Sequence, residues 1–472
     1  MLIRRAEVDG QAPLDVRIDG ERIIAVERGL SPSPGEVVID ACGGALLPGL
    51  HDHHIHLLAL AAAERSVRCG PPHVRSEDEL VAALRAAAER EPAEAVIRGV
   101  GYHESVAGEL DRHVLDRWLP GRAVQIQQRT GALWVVSSAW IERFGVDDPS
   151  RGHPPLERDV ERRTTGRLYR LDGWVRTLGR PRGAPPSLEA VGVRAARFGV
   201  TGLTDATLGN ALKELRILER AVRVGELKQR LVVMGWERLP TPRLPGVSLG
   251  SVKLVLDEAE LFFEAAVSAA RVAHARGRTV AIHAVTRTEV VFAAEVFREA
   301  GVIPGDRLEH ASVAPPEVAA LVAELGLTVV TQPHFVRERG DAYRTDVELR
   351  DQPWLYRCRG WDALQVPLGG GTDAPFGEPD PWLAMQAAVD RRTESGHVIG
   401  PGEALTPERA LALFTTPAAR PGGTPRRIAP GELADLCLLD RPWRLARARL
   451  ASEDVRATIL GGLVTWDREA GS

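Results

Sequence analysis

Leu47-Pro-Gly-Leu-His-Asp-His-His-Ile-His56 decides how the rest of the chain is read, because four histidines fall within six residues behind a Pro-Gly step. Successive side chains of a strand alternate between its faces, so His54 and His56 project to one side together with Asp52, and His51 and His53 to the other. Two imidazoles on one side form a bidentate clamp for a metal ion. A His-rich loop washed by solvent is the alternative, and polar residues further along the chain decide between the two.

The composition narrows the field. At 472 residues, 44% hydrophobic and 26% charged, the chain is that of an ordinary globular protein large enough for one big barrel plus a smaller module, or for two domains. A net charge of -4 argues against a nucleic-acid partner. Cys42, Cys69, Cys358 and Cys437 form no C-x-x-C pair, as suits free thiols in a reducing compartment. With no apolar leader at the N-terminus and no long apolar run, the expectation is a soluble cytoplasmic protein without a membrane partner, acting on a small molecule and free to form a homo-oligomer. Of 60 basic residues only Lys213, Lys228 and Lys253 are lysines. Lys213 and Lys228 lie in polar helical stretches, whereas Lys253 stands in the apolar run Ser-Val-Lys-Leu-Val-Leu and asks for a specific reason.

Residues 2–42 alternate apolar and polar over short runs joined at Asp19-Gly20, a hairpin signature, and short strands recur around Ala434–Asp440 and Ala457–Trp466. Neither end can bury a core separately, so residues 1–45 and 426–472 are expected to share one composite β-sandwich domain. Between them, short apolar runs alternate with helical periods, the pattern of βα units. Eight strand candidates (46–50, 200–205, 230–235, 251–256, 279–283, 307–310, 327–332 and 364–373) predict an α/β fold, a (β/α)8 TIM barrel over residues 46–425. Helices are expected at 261–276, 287–300 and 315–325. The interval between the first two strands is far longer than one crossover needs, so residues 65–185 are expected to be an insertion covering the active site. It should hold a helix near 77–90, strands near 95–101 and 123–128, and a Pro/Arg-rich cover from His153 to Arg182. Arg158, Arg162, Arg163, Arg167 and Arg170 in that cover would either clamp an anion or form a solvated face.

In a barrel the C-terminal strand ends converge, so their polar residues form a set. Here the set is His54 and His56 on the first strand, Lys253 on the fourth, His283 on the fifth, His310 on the sixth and Asp373 on the eighth. Histidines with a carboxylate suit Zn²⁺ or a similar divalent ion. A lysine among cations is driven toward its neutral amine and, on taking up CO2, becomes a carbamate able to bridge two metals. The expected cofactors are therefore two divalent metal ions, Zn²⁺ by preference, and a CO2-derived carbamate on Lys253. Such a centre would make a bridging hydroxide that cleaves a C–N bond of an amide or cyclic amide, with Asp373 moving the proton to the leaving nitrogen. A deaminase or decarboxylase on the same barrel, or a non-catalytic scaffold, are the other readings.

These residues resemble the amidohydrolase superfamily: Pro48-Gly-Leu-His-Asp-His-His-Ile-His56 is similar to its opening motif, and Lys253, His283, His310 and Asp373 follow in its order. Gly101-Tyr-His, Leu115-Asp116, Val135-Val-Ser-Ser-Ala139, Gly199-Val-Thr, Gln332-Pro and Thr372-Asp-Ala-Pro375 resemble amidohydrolase family 3, the branch that includes N-substituted formamide deformylases. Pro430-Gly-Glu-Leu-Ala-Asp435 is similar to that family's closing β module. The resemblance implies that His54 and His56 bind the more buried metal and His283 and His310 the other, that Lys253 bridges them, and that Asp373 is ligand and proton shuttle. The chain departs from the branch at Ala132 and Val136, where members often have histidine and asparagine. For substrate contact the candidates are Tyr102, His103, Arg129 and Trp134, each of which could instead pack within the insertion. His334 is a further candidate, with a structural role as its alternative.

Overall fold

In the computed structural model, which describes residues 1–148, 150, 154–178, 185–256 and 262–469, the chain divides into two units. Met1–Leu57 with Ser187–Ser472 form one, and Leu58–Pro186 the other.

The first unit contains eight parallel strands paired in sequence order: Leu50–Ile55, Val200–Asp205, Arg230–Gly235, Val247–Val255, Val280–Ala284, Arg307–His310, Thr328–Thr331 and Leu368–Gly370. Several read as continuous buried runs, as strands covered on both faces must. The ends meet where Asp373 N donates to His54 O at 2.7 Å and His56 N to Ala374 O at 2.9 Å. Gly371 permits this approach, since a Cβ there would lie 2.8 Å from His54 N. Helices Phe263–Ala275, Arg287–Ala300 and Pro316–Glu324 occupy the βα connections as expected; residue 261, where the first was to begin, lies outside the described residues. Thr286 and Glu289 close a reciprocal capping box on the second. This is the TIM barrel.

The fourth strand begins earlier than expected, at Val247, the eighth is confined to Leu368–Gly370, and the first differs most. Leu46–Pro48 pairs antiparallel with Leu436–Leu439 in a terminal sheet, and the first barrel strand begins only at Leu50. Pro48 and Gly49 end one strand and let the chain turn into the next, a break that the apolar run conceals. The terminal segments form two four-stranded sheets, one of Leu2–Val8, Gln11–Asp19, Arg22–Glu27 and Val38–Asp40, the other of Leu46–Pro48, Leu436–Leu439, Val455–Leu460 and Leu463–Asp467. One apolar cluster joins them, with Ile3, Ala6, Val16 and Ile18 from one sheet and Leu46, Leu436, Leu438 and Ile459 from the other.

The second unit is built on a five-stranded sheet of Val67–Arg68, Ile97–Tyr102, Val124–Gln128, Leu133–Val136 and Arg167–Tyr169. Helix Glu77–Arg90 starts where Ser76 caps the Glu79 amide. Leu80, Leu84, Ile97, Leu115 and Ile126 fill one of its apolar clusters, and Trp140, Ile141 and Leu168 the other. Among the arginines of its Pro/Arg-rich stretch, Arg158 pairs with Asp147, Arg163 with Asp159 and Arg167 with Glu109, so these are ion-paired within the unit. His153 and Arg180–Arg182, at the two ends of that stretch, lie outside the described residues. Among the described residues no helix is long and apolar enough to cross a membrane.

Candidate metal centre

Nε2 of His54, Nε2 of His56 and Oδ1 of Asp373 face one another. The two nitrogens are 3.4 Å apart, and the carboxylate oxygen lies 3.4 Å from His54 and 3.0 Å from His56. Among the described residues this is the one group of three His, Cys, Asp or Glu side chains close enough to share an ion. A tetrahedral ion with bonds of roughly 2.0–2.1 Å has ligand-to-ligand edges of about 3.3 Å, so the triangle has the dimensions that zinc requires. The donor set therefore fits a divalent ion.

Neighbours orient the rings. His54 Nδ1 donates to Glu309 Oε2 at 2.5 Å, His310 Nδ1 donates to Gln332 Oε1 at 2.7 Å, and His56 Nδ1 bonds Thr207 Oγ1 at 3.0 Å. Against the two acceptor oxygens Nδ1 carries the proton, so Nε2 of His54 and of His310 is left to bind an ion, while the Thr207 hydroxyl orients the His56 ring. Glu309 is in turn held by Arg307 Nε at 2.6 Å, both fully buried. Burial disfavours the charge on both Glu309 and His54. The Arg307 and Lys253 charges nevertheless hold the Glu309 carboxyl well below the usual range, and Glu309 and Asp373 raise His54. Thr207 is placed by Asp205, whose carboxylate accepts from the amides of Leu57 and Thr207 and from Asn210 Nδ2.

His283 and His310 complete the convergence. Their ring centroids are 4.4 Å apart, and His310 lies 4.8 Å from His54. Burial lowers both, His310 to about 3. Lys253 is buried and its Nζ has no hydrogen-bond partner among the described residues; burial pushes its pKa down to about 8 against the pull of Glu309. Two members of the set, His310 at φ 71° and Asp373 at φ 53°, adopt the left-handed backbone region that non-glycine residues avoid, a strain characteristic of functional sites.

The remaining candidates are placed as follows. Asp52 does not point at the triangle; its carboxylate accepts from the amides of His54 and Thr372 at 3.0 Å each and from Thr372 Oγ1, tying the first strand to the turn that carries Asp373. His51 and His53, on the other face, bond Thr204 and Thr416. His334 is buried and donates from Nε2 to Thr372 O at 3.0 Å. In the second unit Tyr102 donates to Gly108 O from within an apolar cluster, Trp134 is buried in another, and His103 caps the short helix Glu104–Ala107. Arg129 is half-buried, its amide bonded to Tyr102 O.

Sequence reasoning missed Glu309 and Arg307. An acid and a base two apart in the short buried strand Arg307–His310 share a face, and that pairing was the available signal.

Beside this centre, the residues that follow His283 and His310 line a cavity of about 400 Å³. Val285, Val313, Val347 and Leu355 supply apolar surface, and Tyr343 and Tyr356 bring hydroxyls 3.2 Å apart.

Comparison with known proteins agrees with this architecture. Residues 37–465 match a model described as the amidohydrolase family. An N-substituted formamide deformylase of Arthrobacter pascens is 23% identical, over 99% of this chain and 97% of its own. Among solved structures, an uncharacterized metal-dependent hydrolase of Pyrococcus horikoshii superposes with a TM-score of 0.72 at 21% identity, covering 93% of this chain and 96% of that one. An N-isopropylammelide isopropylaminohydrolase of Burkholderia multivorans does so with a TM-score of 0.54 at 17% identity, covering 99% and 98%.

Proposed function

The chain belongs to the amidohydrolase family, and on that premise we propose that it is a metal-dependent hydrolase of a C–N bond in a small amide or cyclic amide. The observation that carries the proposal is the triangle of His54 Nε2, His56 Nε2 and Asp373 Oδ1. The likeness to a deformylase and an aminohydrolase, both named for work on nitrogen-bearing substrates, supports the same bond type.

His54, His56 and Asp373 would hold one divalent ion, and His283 and His310 a second, with zinc favoured by the imidazole-rich donor set. Bound there, such ions would lower the pKa of water toward neutrality and polarise the carbonyl under attack. Lys253 would join the two sites as a carbamate: its neutral amine forms a bond to the carbon of CO2 and releases one proton, leaving two carboxylate-like oxygens. Support for this comes from a buried Nζ that has no hydrogen-bond partner among the described residues, on a strand with no other charged side chain.

The protein's own groups do the rest. Glu309 and Gln332 keep His54 and His310 in the tautomer that presents Nε2. Asp52 and His334 hold the Thr372-Asp373 turn, so the Asp373 carboxylate stays within reach of the reacting atoms. There it accepts the proton lost by the attacking water and passes it to the leaving nitrogen.

Elemental analysis together with turnover on a panel of N-acyl, N-formyl and cyclic amides tests the reading. Two metals per chain, and activity abolished by chelation and restored by zinc, are expected. Full activity with a single metal would favour a mononuclear hydrolase or deaminase. Lys253→Ala should lose metal and most activity, with partial recovery when a short-chain carboxylate supplies the missing oxygens; two metals retained without added acid would overturn the bridge.

A further inference from the structure

Arg339 is a cation that the chemistry above does not use. It lies on the helix Phe335–Asp346, which follows the seventh barrel strand, and its Cζ sits 4.0 Å over the Phe335 ring. One terminal nitrogen donates to Phe376 O. That residue closes the turn after Asp373, through Phe376 N to Asp373 O at 2.8 Å, and packs its ring edge-on to His56 at 5.4 Å. Arg339 is therefore moored directly beside the candidate centre.

It is also short of partners. A guanidinium carries five N–H donors, yet among the described residues no carboxylate lies within ion-pair distance of Arg339. Its neighbour Glu338 turns instead to accept from the Glu378 amide at 3.0 Å. Tyr343, one helical turn further along the same face, lines the 400 Å³ cavity together with Tyr356. Burial disfavours the charge of Arg339, which the more distant carboxylates of Glu338 and Asp373, the latter a group of the centre, favour. The cavity's own cations are already neutralised, Arg287 by Asp351 and Arg350 by Glu348.

Resting on the reading that the centre hydrolyses an amide, we propose that Arg339 anchors a carboxylate of the substrate, whose apolar or aryl portion lies in the cavity among Val285, Val313, Val347 and Leu355. A planar fork stacked on an aromatic ring and free of an acidic partner is suited to bidentate carboxylate recognition. Val285, Val313, Val347 and Leu355 give that portion an apolar wall, and the paired tyrosine hydroxyls can bond a carbonyl. The substrate class is thus an acidic amide, an N-acyl or N-aroyl amino acid in its simplest form.

N-benzoylglycine and its uncharged counterpart N-benzoylglycinamide form a matched pair of probes for the metal-loaded enzyme. Binding by calorimetry and steady-state turnover should both be measured for the wild type, Arg339→Gln and Arg339→Lys, with thermal melting to verify folding. Expected is a loss of roughly 10–100-fold in affinity and in kcat/KM for the charged probe in Arg339→Gln, the range set by a charge-assisted bond. The neutral probe should change less than threefold, and Arg339→Lys should recover part of the loss. Equal losses on both probes in a folded variant, or no preference of the wild type for the charged one, would overturn the anchor. Failure of the hydrolase reading is distinguishable: neither probe would be turned over, while the calorimetric difference between wild type and Arg339→Gln on the charged probe would still support or reject the anchor by itself.

Discussion

Glu309 stands behind the proposed centre, where it would act on a bound ion without touching it. Its two oxygens are divided between His54 Nδ1 and Arg307 Nε, at 2.5 and 2.6 Å, in a fully buried setting. Glu309→Gln keeps the shape but presents a weaker acceptor and leaves the Arg307 cation without its counter-charge. Carboxylates behind metal-binding histidines typically contribute 10–100-fold in metal affinity. The variant is therefore expected to bind zinc about 10–100-fold more weakly, read by competition with a chromophoric chelator, and to melt at a lower temperature because a buried charge has lost its partner. Unchanged zinc affinity would show that His54 is oriented by the backbone alone. The bond of Glu309 to His54 could not be found from sequence because the two are 255 positions apart; only the closing of the barrel brings the first and sixth strands to face each other across its interior. Arg339 was hidden differently, standing beside Arg337 and Glu338 in a helix whose polar face is ordinary.

At the scale of elements, what was legible followed from local rules. The capped, periodic helix Glu77–Arg90 appears at its expected bounds, and so do the strands Val200–Asp205, Arg230–Gly235 and Arg307–His310. The Leu46–Pro48 strand was misassigned because periodicity says that a run is buried, not which sheet buries it. The helix Pro381–Asp390 offers a test that links its cap to pH. Asp380 caps it by accepting from Trp382 N at 2.8 Å and also accepts from Ser452 Oγ at 2.5 Å. Burial outweighs those bonds and raises its pKa from 3.8 to about 6, with Glu453 and Glu378 adding to the rise. A carboxyl raised on folding contributes stability that is complete below its unfolded value and is lost as pH climbs through the folded value. Stability from Asp380 should therefore fall between about pH 4 and pH 6, by about 3 kcal/mol at 1.36 kcal/mol per unit. Asparagine keeps the cap but cannot ionise. Urea titrations should find Asp380→Asn gaining on the wild type across that window; parallel curves for the two proteins would reject the assignment.

At the scale of the whole molecule, both chain ends serve one core. Leu436–Leu439 lies between Leu46–Pro48 and Val455–Leu460, and its Leu436 and Leu438 pack in the same cluster as Ile3, Val16 and Ile18 from the other end. Asp435, at the start of that strand, binds Arg230 of the third barrel strand at 2.6 Å and accepts the Gly461 amide at 2.9 Å, while its carbonyl accepts the Gly49 amide at 2.8 Å. We propose on this basis that residues 1–45 and 426–472 fold as one module and that neither end is stable separately, since a few short strands without a second layer are marginal in water. Deleting residues 430–472 would uncover the apolar face of the N-terminal sheet, leave Leu46–Pro48 as an unpaired edge open to intermolecular pairing, and strip Arg230 of its buried counter-charge. The truncated chain is expected in the insoluble fraction, or in the void volume on gel filtration after refolding. A soluble, monodisperse truncation with undiminished metal content would show instead that the N-terminal strands and the barrel stand without the C-terminal sheet, and the shared core would then be a contact between modules that fold independently.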